Sequence, residues 1–223
     1  MAGGLPDPLP AEPMGLFEQW FTQARAEKVQ PNPNAMTLAT ADEAGTPSAR
    51  IVLCKSLEAD RGSLVFHSNY HSRKGRELAR GRAAAVFHWD VLDRQVRIEG
   101  PVERVSEADS DAYFATRSWE RRVGAWSSQQ SEPLASREAL FEQITETVIK
   151  LDLDLGALMR GENVEIPRPP HWGGYRLWAQ RVELWMGGTG RIHDRAEWTR
   201  EVASECEDGV RVCGTWSATR LNP

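Results

Sequence analysis

Residues 187–195 read GGTGRIHDR, a glycine-rich turn followed by two arginines, a histidine and an aspartate within five positions. Read as a strand, this stretch puts Arg191, His193 and Arg195 on one face and Ile192 and Asp194 on the other. Such a stripe is costly to bury without anionic or polar partners. It is either exposed or built for an anionic ligand, and Trp185 just before the glycines favours the ligand. Three other clusters have the same character. RIVLCK, residues 50–55, brackets an apolar strand with Arg50 and Lys55, two charges that are either solvated or able to grip an anion. HSNYHSRKGRE, residues 67–77, gathers Ser68, Ser72, Arg73 and Lys74 where a strand becomes a helix. A helix start presents free N–H groups and partial positive charge. Its dipole favours acids there, so basic residues point either to a bound anion or to a solvated face. AYFATRSWERR spaces Tyr113, Arg117 and Arg121 every four residues, on one helical face. Three arginines within residues 117–122 repel one another unless an anion or acids relieve them, and Glu120 offers partial relief, so a solvated face stays open beside an anion site. SSQQS, residues 127–131, adds short polar groups suited to a heteroaromatic ring.

These clusters offer anion grips and few nucleophiles or acid–base pairs. No Ser-His-Asp order and no HExxH motif stands out. His67 and His71 lie four apart with no carboxylate or cysteine to join them, so no metal is expected. The pattern fits a protein whose cofactor carries the chemistry.

The elements that must position these residues are mostly short strands. MGLFEQWFTQARAEK spaces Leu16, Phe17, Trp20 and Phe21 as an amphipathic helix. AMTLATA, PSARIVLCK, SLVFHSN, AAAVFHW and RQVRIEGPVERVS read as strands separated by turn residues. RQVRIEG alternates Gln95, Arg97 and Glu99 against Val96 and Ile98. EADSDAYFATRSWERRVGAW reads as one helix capped by Ser106, and SREALFEQITETVIKLDLDLGAL as a longer one capped by Ser136. RGENVEIPRPPHWGG reads as a loop, and YRLWAQRVELWMGG, RIHDRAEWTRE and VRVCGTWSATRL as closing strands. Close-spaced strands with a few helices predict an α+β fold around a small antiparallel barrel or sandwich. There is no βαβ alternation, GxGxxG or P-loop signature.

The chain has 223 residues, which suits one domain over 14–223 preceded by a Pro/Gly-rich mobile arm over 1–13. Its hydrophobic share of 40% supports a real core, and its nine tryptophans supply packing and possible stacking surfaces. A net charge of −5 counts against nucleic acid as a partner. Cys54, Cys206 and Cys213 are too few and too far apart for a disulfide framework and read as reduced thiols, with a Cys206–Cys213 pair as the alternative. Neither a signal peptide nor a membrane span is visible, so a soluble cytoplasmic protein is expected.

Taken in order, AMTLATAD, RIVLCK, NYHSRKGREL, RQVRIEG, RVGAWSSQQS, HWGGYRL, VELWMGGTGRIHDR and the final RLNP resemble the pyridoxine (pyridoxamine) 5′-phosphate oxidases across residues 35–223. The resemblance implies an FMN-binding split β-barrel with peripheral helices, and FMN held between the two subunits of a homodimer. It implies that Arg50, Ile51, Val52, Leu53, Cys54 and Lys55 border the flavin. His67, Ser68, Arg73 and Lys74 would hold its phosphate, Gln95 its ring, and Gln130, Ser131, Trp185 and Arg195 would complete the site. Lys55, Tyr113, Arg117 and Arg121 would meet the phosphate of a B6 vitamer, and Arg191 and His193 would orient its ring as the catalytic pair, with dioxygen as electron acceptor.

Three positions depart from the family pattern. The N-terminal arm lacks the arginine and tyrosine of a substrate lid, Arg121 stands where a serine is common, and Ser118 where a proline usually follows Arg117. All three concern substrate more than flavin. Two alternatives therefore stay open: a related split-barrel oxidase acting on a non-phosphorylated substrate such as a phenazine precursor, and a non-catalytic flavin or pyridoxal-phosphate binding protein. The segment around KLDLDLGALMRGEN has no assigned role.

Overall fold

The computed structural model describes residues 4–162, 164–207 and 210–223, the side chains of 204–207 and 210 excepted. Helix α1 (Met14–Ala26) buries Met14, Phe17, Trp20, Phe21 and Ala24, the face that its apolar spacing requires. The Glu12 carboxylate accepts the N–H of Met14 at 2.6 Å and of Gly15 at 3.1 Å, satisfying donors the helix start leaves open. Strands β1 (Ala35–Ala41), β2 (Pro47–Glu58) and β3 (Ser63–Asn69) follow, then helix α2 (Arg73–Leu78), β4 (Arg82–Trp89) and β5 (Arg94–Arg104). Next come α3 (Glu107–Ala115), α4 (Trp119–Ser127), α5 (Arg137–Lys150) and α6 (Leu155–Met159). The chain closes with β6 (Trp172–Trp178), β7 (Arg181–Met186), β8 (Asp194–Thr199), β9 (Val202–Glu207), β10 (Val210–Cys213) and β11 (Ser217–Leu221).

The main sheet runs β11-β8-β7-β5-β4-β1-β2-β3-β6, and β5 also pairs with β6. That second pairing closes β5, β4, β1, β2, β3 and β6 into a barrel, and leaves β7, β8 and β11 as an extension from β5. Gly100 sits where β5 turns from one partner toward the other. A side chain there would collide with the Trp178 carbonyl oxygen, so only glycine permits the approach. Strands β9 and β10 form a separate two-stranded ribbon.

The chain divides into two compact units. One comprises Met1–Phe66, Leu78–Glu103 and Arg176–Pro223, the other His67–Glu77 and Arg104–Tyr175. In the first, Phe17 and Phe21 meet Phe87 with ring centroids 5.3 and 5.7 Å apart. The fully buried Trp89, Trp178 and Trp198 each donate their indole N–H, to Pro33 O, Glu103 Oε1 and Pro10 O. In the second, α4 to α6 build a small core from Val123, Leu153, Leu158 and Ile166, with Ile144 and Val148 against it. The segment without an assigned role, residues 150–163, thus supplies Leu153 and Leu158 to this core.

Several elements differ from the sequence reading. The helix expected over 107–126 is two helices, since the Thr116 hydroxyl bonds back to Tyr113 O and Ser118 takes extended ψ as the cap of α4. Arg117 therefore lies between helices, and the shared face of Tyr113, Arg117 and Arg121 does not exist. The helix expected over 136–158 starts as predicted, with Ser136 accepting from Ala139 N–H, but it stops at Lys150. Asp152 adopts a positive φ of 49°, and Asp154 caps α6. The last strands are divided: Ala179 and Gln180 separate β6 from β7, and β9 was not foreseen. Residues 5–10 of the arm expected to be mobile lie along β8 and β11, with Leu5 buried. Cys54 and Cys213 are free thiols, and the Cys206 side chain of the alternative pair lies outside the described residues. Among the described residues, no helix is long and apolar enough to cross a membrane.

Candidate functional site

In the first unit the ladder aligns three of the predicted residues. Gln95 on β5 faces Trp185 on β7, and Trp185 faces Arg195 on β8. Residues paired across adjacent strands project to the same side, so the three share one row. One step along the same face, Glu183 is nearly enclosed and accepts Arg97 Nη1 at 2.9 Å and Arg195 Nε at 3.0 Å. Arg195 also donates Nη1 to the Asn222 carbonyl at 3.0 Å. Two acceptors thus aim this guanidinium. Neither Glu183 nor Asn222 was singled out from sequence. Strand alternation from Trp185 points to Glu183, whereas Asn222 was legible only as part of the final RLNP motif.

The expected cation stripe is corrected here. Only Arg195 belongs to the strand, because β8 begins at Asp194. Residues Thr189–Arg191 form a tight 3₁₀ turn, with Gly190 and Arg191 at φ of 69° and 65°. The double glycine has a steric reason: a side chain on Gly187 would strike the Asp93 carboxyl, and one on Gly188 the Ile192 carbonyl. His193 instead leaves the turn toward Trp185, ring centroids 4.7 Å apart at 40°. Its Nδ1 accepts the Gly188 N–H at 3.3 Å, so the neutral ring carries its proton on Nε2. Arg191 is exposed.

Residues 50–55 lie on β2. Arg50 is turned onto β1, donating to Leu38 O at 3.2 Å and to Thr40 Oγ1 at 2.5 Å, with a further bond to Ser48 Oγ. Ile51 is 65% exposed, Val52 and Leu53 are half-buried, and Lys55 is exposed. Cys54 is buried, and burial pushes its thiol up to about 12 despite opposing hydrogen bonds and charges.

The second unit assembles two groups. In the first, Lys74 Nζ and Ser68 Oγ both donate to Gln130 Oε1, at 2.6 and 3.4 Å. The start of α2 is shaped by Ser72, whose Oγ accepts the Gly75 N–H at 3.2 Å and donates to Asn69 O at 2.7 Å. Asn69 Nδ2 in turn donates to Ser128 O at 3.3 Å, and Arg76 pairs with Glu132 at 2.8 Å, so the 128–132 loop is held against α2. Ser131 holds a positive φ of 75° in this loop. Arg73 is directed to the buried Glu77 at 2.8 Å instead of joining Lys74.

In the second group, His67 stacks on Tyr113 at 3.9 Å and on Trp172 at 5.2 Å. Arg117 lies over the Trp172 ring at 4.5 Å, and its Nη1 is buried without a hydrogen-bond partner. Burial holds this guanidinium below its ordinary value; the Tyr113 hydroxyl opposes the shift and the Arg121 charge adds to it. Arg121 is exposed. Trp172 was legible only as part of the HWGGYRL motif, because stacking partners distant in sequence leave no spacing signal. A half-buried cation with an unsatisfied buried N–H, flanked by a second cation and flat rings, is suited to a planar anionic ligand.

Two family models match the chain. That described as pyridoxamine 5′-phosphate oxidase matches residues 22–151, and that described as the pyridoxine 5′-phosphate oxidase C-terminal dimerisation region matches 172–223. The pyridoxine/pyridoxamine 5′-phosphate oxidase of Cupriavidus necator is 48% identical over 213 residues, covering 95% of this chain and 89% of the relative. That of Burkholderia mallei is 47% identical over 212 residues, covering 95% and 89%. Among solved structures, PhzG from Burkholderia lata 383, in complex with tetrahydrophenazine-1-carboxylic acid, superposes with a TM-score of 0.79 at 30% identity, covering 99% of this chain and 100% of that one. A pyridoxamine 5′-phosphate oxidase-related, FMN-binding protein from Nostoc punctiforme shares the fold, with a TM-score of 0.68 at 15% identity over 96% and 99% of the two chains. The barrel closed through β5 and β6 is thus the split barrel of these proteins, and with close to half its residues shared along almost its whole length, the chain belongs to the pyridoxamine 5′-phosphate oxidase family.

Proposed function

We propose that the protein is an FMN-dependent oxidase that converts pyridoxamine or pyridoxine 5′-phosphate to pyridoxal 5′-phosphate, with dioxygen as acceptor and hydrogen peroxide as product; with the amine, water supplies the aldehyde oxygen and ammonia leaves. The observation that carries this reading is the donor set at the matching positions: in one unit Lys74 on Gln130 and Arg117 over Trp172, in the other His193 and Arg195 beside Trp185, with no nucleophile–base pair among them. Such a set suits FMN. Lys74 and Ser68, converging on Gln130, form a phosphate cradle; the family pattern adds His67, here stacked on Tyr113, and Arg73, here paired with Glu77. Gln95, Trp185 and Arg195 offer an amide, a flat ring and an aimed guanidinium to the isoalloxazine. Residues 50–55 and Ser131 complete the set.

FMN held by these residues would supply the two-electron redox chemistry, with dioxygen as the final acceptor. The protein binds and orients. Lys55, Tyr113, Arg117 and Arg121 take the substrate phosphate, and Arg117 gains the partner its buried Nη1 lacks. Arg191 and His193 hold the pyridine ring, with the His193 Nε2 proton available as a donor. The match to a dimerisation region supports a homodimer with FMN between subunits, and a cytoplasmic location goes with this metabolism.

The test is an aerobic assay of FMN-loaded protein with each vitamer phosphate, following pyridoxal 5′-phosphate and peroxide together. Equal amounts of both products are expected. Tight FMN binding with neither product would refute the substrate assignment. The likeness to PhzG favours one second reading, oxidation of a phenazine precursor. On that reading Lys55→Ala leaves KM for the true substrate unchanged, whereas on the first it raises KM for pyridoxine 5′-phosphate strongly.

A further inference from the structure

Strand β8 has two faces. Arg195, Glu197 and Thr199 share the face of Trp185 and Gln95, while Asp194, Ala196 and Trp198 point the other way. Ala196 and Trp198 are fully buried. Asp194 continues that buried face with a carboxylate, and both of its oxygens are engaged. Oδ2 accepts the Leu5 backbone N–H at 2.7 Å, and Oδ1 accepts Arg220 Nη1 at 2.7 Å. Arg220 extends Nη2 to the Pro6 carbonyl at 2.9 Å. Leu5 is only 5% exposed, and a side chain on Gly4 would stand 2.6 Å from Asp194 Oδ2. Farther along, Trp198 Nε1 reaches Pro10 O at 2.9 Å. Residues 4–10 therefore form a strap along the back of β8.

The front of the same strand start needs support. On its N-terminal side the chain is a turn containing Gly187, Gly188 and Gly190, with Arg191 in left-handed backbone. Glycines leave a chain free to adopt other conformations. Strand ends also fray first. His193 and Arg195 flank Asp194 directly, so whatever fixes Asp194 fixes the backbone that aims both. Charge-assisted bonds to a carboxylate are the stronger kind.

We propose that Leu5, Asp194 and Arg220 are positioning residues, a clasp that pins the first residue of β8 from behind and so holds His193 and Arg195 on the front. This inference rests on the reading of His193 as a substrate residue and Arg195 as a flavin residue. It also assigns work to an N-terminal segment that carries no arginine or tyrosine.

The test compares the full-length wild type with Leu5→Ala, Arg220→Ala and Arg220→Lys. Four quantities are measured: melting temperature, amide hydrogen exchange across residues 187–199, the FMN dissociation constant from flavin fluorescence, and kcat and KM with pyridoxine 5′-phosphate. In Arg220→Ala, exchange rises at residues 192–196 and not across the rest of the chain. FMN affinity and kcat/KM each fall about tenfold, with the kinetic loss mainly in kcat, as expected of lost orientation. Arg220→Lys recovers part of the loss. Should Arg220→Ala fail to fold, Leu5→Ala carries the comparison. Unchanged exchange at 192–196 overturns the clasp, and raised exchange with wild-type FMN affinity and kinetics overturns its service to the site. If the wild type itself binds no FMN and forms no product, the functional reading falls separately, and the exchange pattern still decides whether the clasp holds the strand.

Discussion

Arg117 carries a buried N–H with no acceptor, a state that costs free energy until an anion arrives. Arg117→Ala should therefore raise KM for pyridoxine 5′-phosphate about 10- to 100-fold, the range of one charge-assisted phosphate contact, with a smaller change in kcat. Steady-state kinetics at saturating FMN measures both, and an unchanged KM would remove Arg117 from the phosphate site. Cys54 offers a second test at this scale. It stands within the run assigned to the flavin border, yet burial raises its thiol to about 12. The thiolate is the reactive species, so Cys54 should resist iodoacetamide at pH 8 in the folded protein and react only after denaturation. Rapid native labelling, read by peptide mass, would contradict the buried placement. Lys74, Gln130, Trp185 and Arg195 were all visible as candidates from residue type and motif. The residues that aim them were harder to see. Glu183 reaches Arg195 from the neighbouring strand and Asn222 from just past β11, and contacts between segments distant in sequence leave no local pattern.

Strands β2 and β6 of the barrel are joined by an ion pair with fork geometry. Arg176 donates Nε to Glu58 Oε2 at 2.9 Å and Nη2 to Oε1 at 3.1 Å, and Ser63 Oγ adds a third bond. Burial alone would raise the Glu58 carboxyl, but Arg176 and Ser63 outweigh it and hold it below its ordinary 4.5. A lowered carboxylate pKa contributes stability that is complete above 4.5 and is lost as pH falls through the folded value. Glu58→Gln should thus lower the melting temperature at neutral pH, and the gap from wild type should close as the pH drops below 4.5. Thermal melts across an acid series measure this, and a gap independent of pH would exclude the carboxylate as its source. The first strands were legible because alternation and turn residues agree there, and β1 and β3 have the predicted bounds. Helices failed where one polar residue changed the backbone. Ser118 and Asp152 each break a run whose composition favours continuation. The turn at 189–191 failed for the opposite reason: alternation was present in RIHDR, but Gly190 and Arg191 take left-handed backbone that no strand allows.

At the scale of the molecule, the match of residues 172–223 to a dimerisation region sets the expected assembly. Light scattering after size exclusion should give twice the chain mass, persisting in the FMN-loaded form. A single-chain mass with FMN fully bound would contradict a site shared between subunits. The order in which the chain is made adds a further consequence. The unit that contains β1, β4 and most of β5 is discontinuous, and its last segment is Arg176–Pro223, whereas the other unit ends at Tyr175. Proteins emerge from the ribosome N-terminus first and tend to fold unit by unit as they do so. The His67–Glu77 and Arg104–Tyr175 segments are therefore complete while β7, β8 and β11 are still unmade. Until those strands arrive, β5 has an unfilled edge, and the row of Gln95, Trp185 and Arg195 does not exist. The nascent chain must keep its early β-strands from pairing wrongly during that interval, and the emergence of β7 and β8 is the event that creates the row.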